Sequence, residues 1–420
     1  MNFEEKDNDT ALVPLTEPKQ VPSAPEMAER KVTEESYWMV VTRRYTWVWR
    51  FFLVATLIFA ALFLLLFSRV FTHDSIFCFF RDLQSVSSFV DSDYDTVYAT
   101  YSEGGQAVLS YRDGVAFVSR GGVEIFSPNG ERLLNAERTL IDPRAVASRK
   151  YLLAYDNGGT DFLVTNSYSE LFRGKTDFPI YGAATSDSGY FALITASDTY
   201  LSQVLLYDNN FNLVQRFNRL SATVGVSISD NGKRIALLGA TATEGTVCTR
   251  LEIFRIGEAS AEKSLEIGGE MPLSLGFTND RCMMLLTNGA LRCVNIDGNV
   301  VSTYSLTSDT IGYTVNGYGA LLLTSDAERG SCRVLALDAN GGLMLETEIE
   351  GDFYGQDLGD GEILLLAADR AVSIRTDTGG VSEIAIEEKG AIDIIWLGWR
   401  RLRVCYPARA DYVVIGSNEA

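Results

Sequence analysis

Residues 228–239 read ISDNGKRIALLG, a run that sets Asp, Asn, Gly and Lys side by side. These residue types serve a phosphate loop, a metal loop or a tight turn. A phosphate loop needs Gly-x-x-x-x-Gly-Lys spacing, so that backbone N–H groups and the lysine cradle the anion. Ser229–Lys233 lacks that spacing. A calcium loop begun at Asp208, in DNNFN, needs Gly at its sixth position and Glu at its twelfth. Those positions hold Leu213 and Arg219. Both stretches therefore read as turns, in which Gly takes positive φ and Asp or Asn bonds its own backbone.

The remaining chemistry-bearing residues are equally restrictive. The chain has one histidine, His73, next to a hydrophobic span. A Ser-His-Asp triad, a histidine zinc site or a base-flipping deaminase needs histidine inside the fold. Six cysteines, Cys78, Cys248, Cys282, Cys293, Cys332 and Cys405, form no Cys-x-x-Cys pair. A turn at Asn288-Gly289 pairs 287 with 290, which sets Cys282 opposite 295 and Cys293 opposite 284. The two sulfurs are then diagonal, a poor disulfide geometry, so buried free thiols are expected. The net charge of −19 argues against nucleic-acid phosphates and against docking on anionic lipid. No catalytic residue, metal ligand or cofactor site is expected, although a glycosidase needs only positioned carboxylates, and residues 72–420 hold 46 acids.

The elements that carry these residues fall into two parts. Residues 51–68, FFLVATLIFAALFLLLFS, are free of charge over eighteen positions, about 27 Å as a helix. The run begins too far into the chain for a cleaved signal peptide and lacks a small-residue cleavage site. Trp47 and Trp49 suit an interfacial belt, and Arg30, Lys31, Arg43, Arg44 and Arg50 before the run outnumber Arg69 and Arg81 after it. The expectation is a disordered cytoplasmic tail (1–36), an aromatic-basic collar (37–50), a transmembrane helix (51–71), an extracellular linker (72–85) and an extracellular domain (86–420). The protein is expected in the cell membrane, single-pass, with its N-terminus cytoplasmic.

The extracellular part repeats. ATSDSGYFALIT (184–195) and SISDNGKRIALLG (227–239) each read as a short strand, a Ser-Asp-x-Gly turn and an apolar strand. Weaker copies are SYRDGVAFV, TVNGYGALLLT and DLGDGEILLLA. A second turn follows about twenty residues behind, as in FSPNGERLL, YDNNFNLVQ, NIDGNVVST, LDANGGLML and RTDTGGVSE. Two hairpins per unit make four antiparallel strands. First strands fall near 107, 144, 181, 224, 273, 311, 353 and 391, and a period of about 40 residues is that of a β-propeller blade. The last unit holds only three strands, so a strand within 86–100 is expected to complete it. The predicted fold is all-β, an eight-bladed propeller with seven blades as the alternative, preceded by one helix. Stacked β-sandwiches are the rival architecture, and the regular period disfavours them.

The Ser-Asp-x-Gly hairpins at 186–189 and 229–232 resemble those of bacterial WD40-like, TolB-like and quinoprotein-like propellers. The whole layout is similar to a family of single-pass membrane propellers of clostridial Firmicutes. That resemblance implies a bacterial cell-surface location and no reaction. Quinoprotein blades repeat an Ala-x-Asp…Gly…Trp signature, whereas the exterior domain here has only Trp396 and Trp399. The longest second-to-third connections, 239–248 and 324–332, offer Glu244, Asp326, Glu328 and Arg329 as binding-face candidates. The expected function is a non-catalytic binding or scaffold module for an envelope protein or cell-wall polymer. The alternative is an extracellular hydrolase acting on carbohydrate or peptide.

Overall fold

The structure, a computed structural model, describes residues 24–66, 96–100, 107–112, 114–243, 245–306, 309–326, 330–386 and 388–415. It divides into two units, Met1–Thr72 and His73–Ala420. The first holds one helix, Ala24–Leu66. Residues 24–36, expected within an unstructured tail, are helical, in keeping with their Ala, Glu, Met, Arg and Lys content. Thr56 meets its own polar need by donating to the Phe52 carbonyl oxygen at 2.8 Å. Among the described residues no helix is long and apolar enough to cross a membrane. The end of the expected span (67–71), the linker (72–85) and the rest of the tail (1–23) lie outside the described residues.

The second unit is all β. Its described strands form eight four-stranded antiparallel sheets, each built from strands consecutive in sequence except the last. The blades begin with inner strands at Ala107–Tyr111, Pro143–Ala147, Ile180–Thr185, Ala222–Ile228, Pro272–Phe277, Thr310–Asn316, Gly355–Leu358 and Asp393–Gly398. Inner strands of successive blades touch in an unbroken ring, and blade 8 meets blade 1. Blade 8 takes three strands from the C-terminus and its fourth, Val97–Tyr98, from the start of the domain. Val97 pairs with Ala410 and Tyr98 with Arg409. This pairing covers the outer edge of Arg409–Val414, which three strands alone would leave open.

Burial follows position in the blade. The second strands, such as Leu152–Asp156, Phe191–Thr195 and Cys282–Thr287, are buried at every residue. Their continuous apolar sequences follow from this, because each is packed by a blade on either side. Fourth strands, such as Lys263–Gly268, alternate and face water. The Asn288-Gly289 hairpin has the expected register, Cys282 opposite Asn295 and Met284 opposite Cys293. All five described cysteines are free and buried; Cys78 lies outside the described residues. Burial pushes the Cys293 thiol up to about 12 and Cys332 to about 11, so both stay protonated.

The Ser-Asp-x-Gly motif is a turn that also joins blades. Gly232 donates to the Ser229 carbonyl oxygen at 2.8 Å with φ of 65°, a region that costs other residues. The Asp residues reach sideways. The Asp187 carboxylate accepts the Arg149 N–H of blade 2 at 2.8 Å, and Asp280 of blade 5 accepts the Asn231 N–H of blade 4 at 2.9 Å. Between them, the Ser188 N–H donates to the Asp230 carbonyl oxygen at 3.0 Å. A Cβ at Gly232 would lie 2.4 Å from Ser188 Oγ of the neighbouring blade. Gly232→Ala is therefore expected to cost about 2 kcal/mol from positive φ and crowding together. A thermal midpoint unchanged within error would count against this account of the turn.

Candidate binding face

The inner strands make the wall of a central channel. Side chains of one inner strand bond the backbone of the next. Ser227 Oγ accepts the Phe277 N–H at 2.9 Å, and Asn316 Nδ2 donates to the Leu358 carbonyl oxygen at 2.7 Å. Asp357 accepts the Trp396 N–H at 2.8 Å through Oδ2 and its neighbour Leu358 N–H at 2.8 Å through Oδ1. Burial raises the Asp357 and Asp393 carboxyls to about 6 each. Displaced carboxylates are candidates for acid–base work, but Asp357 caps two backbone donors and Asp393 accepts from Ile394 N–H. Their bonding is that of a wall, with both oxygens of Asp357 committed. Trp396 docks between blades 7 and 8, donating to Glu362 at 3.1 Å.

At the end of the channel opposite the Ser-Asp-x-Gly turns, four inner strands share a defect. In blades 3, 4, 5 and 6 the pairing with the second strand skips one residue, at Tyr181, Val224, Leu273 and Ile311. A β-bulge of this kind re-aims a side chain out of the ladder. Each of the four residues is large, apolar and exposed, Tyr181 to 60%. The links that lead into the inner strands of blades 4 and 5 add Leu220, 82% exposed, and Met271, 54%. Together they form an apolar crescent across four adjacent blades.

Hairpins between second and third strands stand on the same side. The Gly269 N–H of the link into blade 5 donates to the Val247 carbonyl oxygen at 2.9 Å, and Gly351 N–H bonds the Gly330 carbonyl oxygen at 3.3 Å. The sequence places long loops at 239–248 and 324–332; the structure has projecting ladders. In blade 4 the strands Arg234–Thr243 and Thr246–Arg255 pair out to Thr243 opposite Thr246. In blade 6 Gly319–Asp326 and Ser331–Asp338 pair out to Asp326 opposite Ser331. The β-branched Thr and Val of 241–249 favour this continuation. Asp326 therefore ends a strand on the crescent side. Glu244, Glu328 and Arg329 lie outside the described residues, at the tips of these hairpins in sequence.

The polar surroundings are occupied by their own partners. Arg292 bonds Glu270 through both amino groups at 2.6 Å and holds that carboxyl below its usual range. Arg138 pairs with Asp161, Arg219 with Glu252 and Arg250 with Glu266. A cleft of about 260 Å³ beside Leu220 is lined by Asn218, Arg219, Ser221, Thr241 and Arg250 and contains no pair of carboxylates. Among the described residues no group of His, Cys, Asp and Glu could hold a metal.

The crescent is invisible to a search for chemical motifs, because it contains none. Its signal is a large apolar residue followed by Gly or Ser at the blade period: Tyr181-Gly182, Val224-Gly225, Leu273-Ser274 and Ile311-Gly312.

Ring closure and eight four-stranded blades define an eight-bladed β-propeller. More particularly, the chain belongs to the family of unknown function DUF5711, matched over residues 88–413. No curated protein sequence matches it. Among solved structures it is similar to BamB from Moraxella catarrhalis, at 13% identity and TM-score 0.50, over 76% of this chain and 98% of that one. It is also similar to Sqt1 from Chaetomium thermophilum, seen bound to the N-terminus of the ribosomal protein L10, at 12% identity and TM-score 0.52, over 77% and 100%. At these identities the likeness is one of fold.

Proposed function

We propose that this protein is a non-catalytic docking module, tethered to the cell membrane near its N-terminus, that holds a protein partner on the crescent face. The observation that carries the reading is the run of bulged, exposed apolar residues on blades 3 to 6. A contiguous apolar patch rimmed by polar groups is what a partner covers. Sqt1, a propeller of similar fold, was captured with a protein segment bound. The tether rests on the uncharged run 51–68 and its arginine asymmetry, which also favour an extracellular propeller. A hydrolase would need a pocket with converging carboxylates free to act. The displaced Asp357 and Asp393 instead serve the backbone of the wall.

The test is site-directed photo-crosslinking of the full chain in its native membrane. A photoreactive residue at Leu273 or Ile311 is expected to give one discrete protein adduct. The same residue at Val301 or Val381, exposed on outer strands, is expected to give none. Equal adducts from both sets, or none from the crescent, would remove this face as the docking site. A glycan adduct at the crescent would move the weight to a cell-wall polymer.

A further inference from the structure

We infer that the crescent takes a cationic, amphipathic polypeptide segment, with large apolar side chains for the bulged strands and Lys or Arg beside them. This deepens the docking reading and rests on it. The evidence is how charge is distributed around the apolar residues. Among the described residues of this face, Arg219, Arg250, Arg292, Arg333 and Arg370 of blades 3 to 7 each pair with a carboxylate, and the cations that make no ion pair, Arg120 and Lys389, stand on blade 1 and in the link into blade 8. The acids are in excess. Among the described residues, Asp198, Asp309, Asp352 and Asp369 make no ion pair and are exposed.

Their positions follow the apolar set. Asp309 precedes Ile311 by two residues in the link into blade 6, and Asp352 precedes Tyr354 by two in the link into blade 7. Asp198 stands in the hairpin that exposes Leu201, and Asp369 in the corresponding hairpin of blade 7. The face thus offers apolar contacts flanked by uncompensated negative charge, within a chain of net charge −19. An acidic segment, or a lipid surface of anionic headgroups, meets like charge here. A segment with basic residues beside apolar ones meets complementary charge, which speeds encounter and fixes register more than it deepens affinity.

The test uses the full chain with three helical peptides of identical leucine face: Leu/Lys, Leu/Gln and Leu/Glu. The Leu/Lys probe is expected to bind about tenfold or more tighter than Leu/Glu, with an on-rate that falls steeply with salt. The Leu273→Ser, Ile311→Ser pair is expected to weaken both Leu/Lys and Leu/Gln by about tenfold, because it removes the apolar contact. The Asp309→Asn, Asp352→Asn pair is expected to slow association of Leu/Lys several-fold and leave Leu/Gln unchanged. If Leu/Lys and Leu/Gln bind alike and both respond to the serine pair, the cationic preference is wrong and the docking reading stands. If no probe responds to the serine pair, both fall. Tight binding of anionic vesicles through Leu273 and Ile311 would also overturn the inference. All substituted side chains are exposed, so these variants are expected to fold.

Discussion

Val97→Asp is expected to open the propeller and lower its stability by more than about 4 kcal/mol. Val97 is fully buried in a strand of two residues, yet it sits where the ring closes. It packs in one cluster with Val108, Val115, Phe117 and Phe126 of blade 1 and with Ile395, Cys405 and Ala410 of blade 8. The strand is held to blade 8 by its ladder and by the Ala99 N–H, which donates to the Ala408 carbonyl oxygen at 2.8 Å. Arg403 crosses the same seam, fully buried, and donates to the Pro128 carbonyl oxygen of blade 1 at 2.6 Å. A carboxylate at Val97 enters an apolar pocket between two blades and loosens the strand that covers the outer edge of Arg409–Val414. Tyr98, next in sequence, is 67% exposed, so Tyr98→Asp is the matched control and is expected to cost about 0.5 kcal/mol or less. The two thermal midpoints decide the matter. Near-equal melting of the two variants would mean that this strand does not hold the ring.

The seam also shows how much of the molecule was legible in its sequence. The missing fourth strand was predictable by counting, since the last unit ran out of chain after three, and Val97–Tyr98 lies within the interval assigned to it. Inner strands were located within about two residues, because turn chemistry at Ser186–Gly189 and Ser229–Gly232 is local and needs no partner to be recognised. The register of Cys282 and Cys293 followed from one Asn-Gly turn. What was not legible arises from pairing. A bulge is a mismatch between two strands, so nothing within Ile311 or Leu273 alone marks it, and the crescent that depends on four such mismatches stays hidden. The hairpin of blade 4 reads as a loop for a related reason: its ladder outruns the sheet to Thr243 and Thr246, where no core imposes the alternation that identifies a strand. The candidates Glu244, Asp326, Glu328 and Arg329 follow from reading hairpin length. The apolar residues between those hairpins are the stronger basis for a docking face.

The second large effect is expected from pH. Asp357 and Asp393 lie on adjacent inner strands of blades 7 and 8, and burial raises each carboxyl from 3.8 to about 6. A carboxyl raised by folding binds its proton more tightly in the folded chain than in the unfolded one. The stability gained on protonation is therefore fully present below about pH 4, and it is lost as pH rises through 6. A displacement of about 2 units corresponds to about 3 kcal/mol per group, reduced here because both side chains keep some contact with water. The propeller is thus expected to gain stability on going from pH 7 to pH 5 at these sites. Carboxylates held by arginine, Glu262 and Glu270, lie below their usual range and lose stability only at lower pH. Asp393→Asn isolates the effect, since its Oδ1 accepts from Ile394 N–H and an amide oxygen does the same. Asp357→Asn is less clean, because both oxygens accept backbone donors and an amide nitrogen cannot. At about pH 7.5 the Asp393→Asn chain is expected to be about 1–3 kcal/mol more stable than the parent, and at about pH 4.5 nearly equal to it. Unfolding midpoints at the two pH values measure this directly. An advantage of the same size at both pH values would show that the substitution acts through packing, and that the wall does not raise the Asp393 carboxyl.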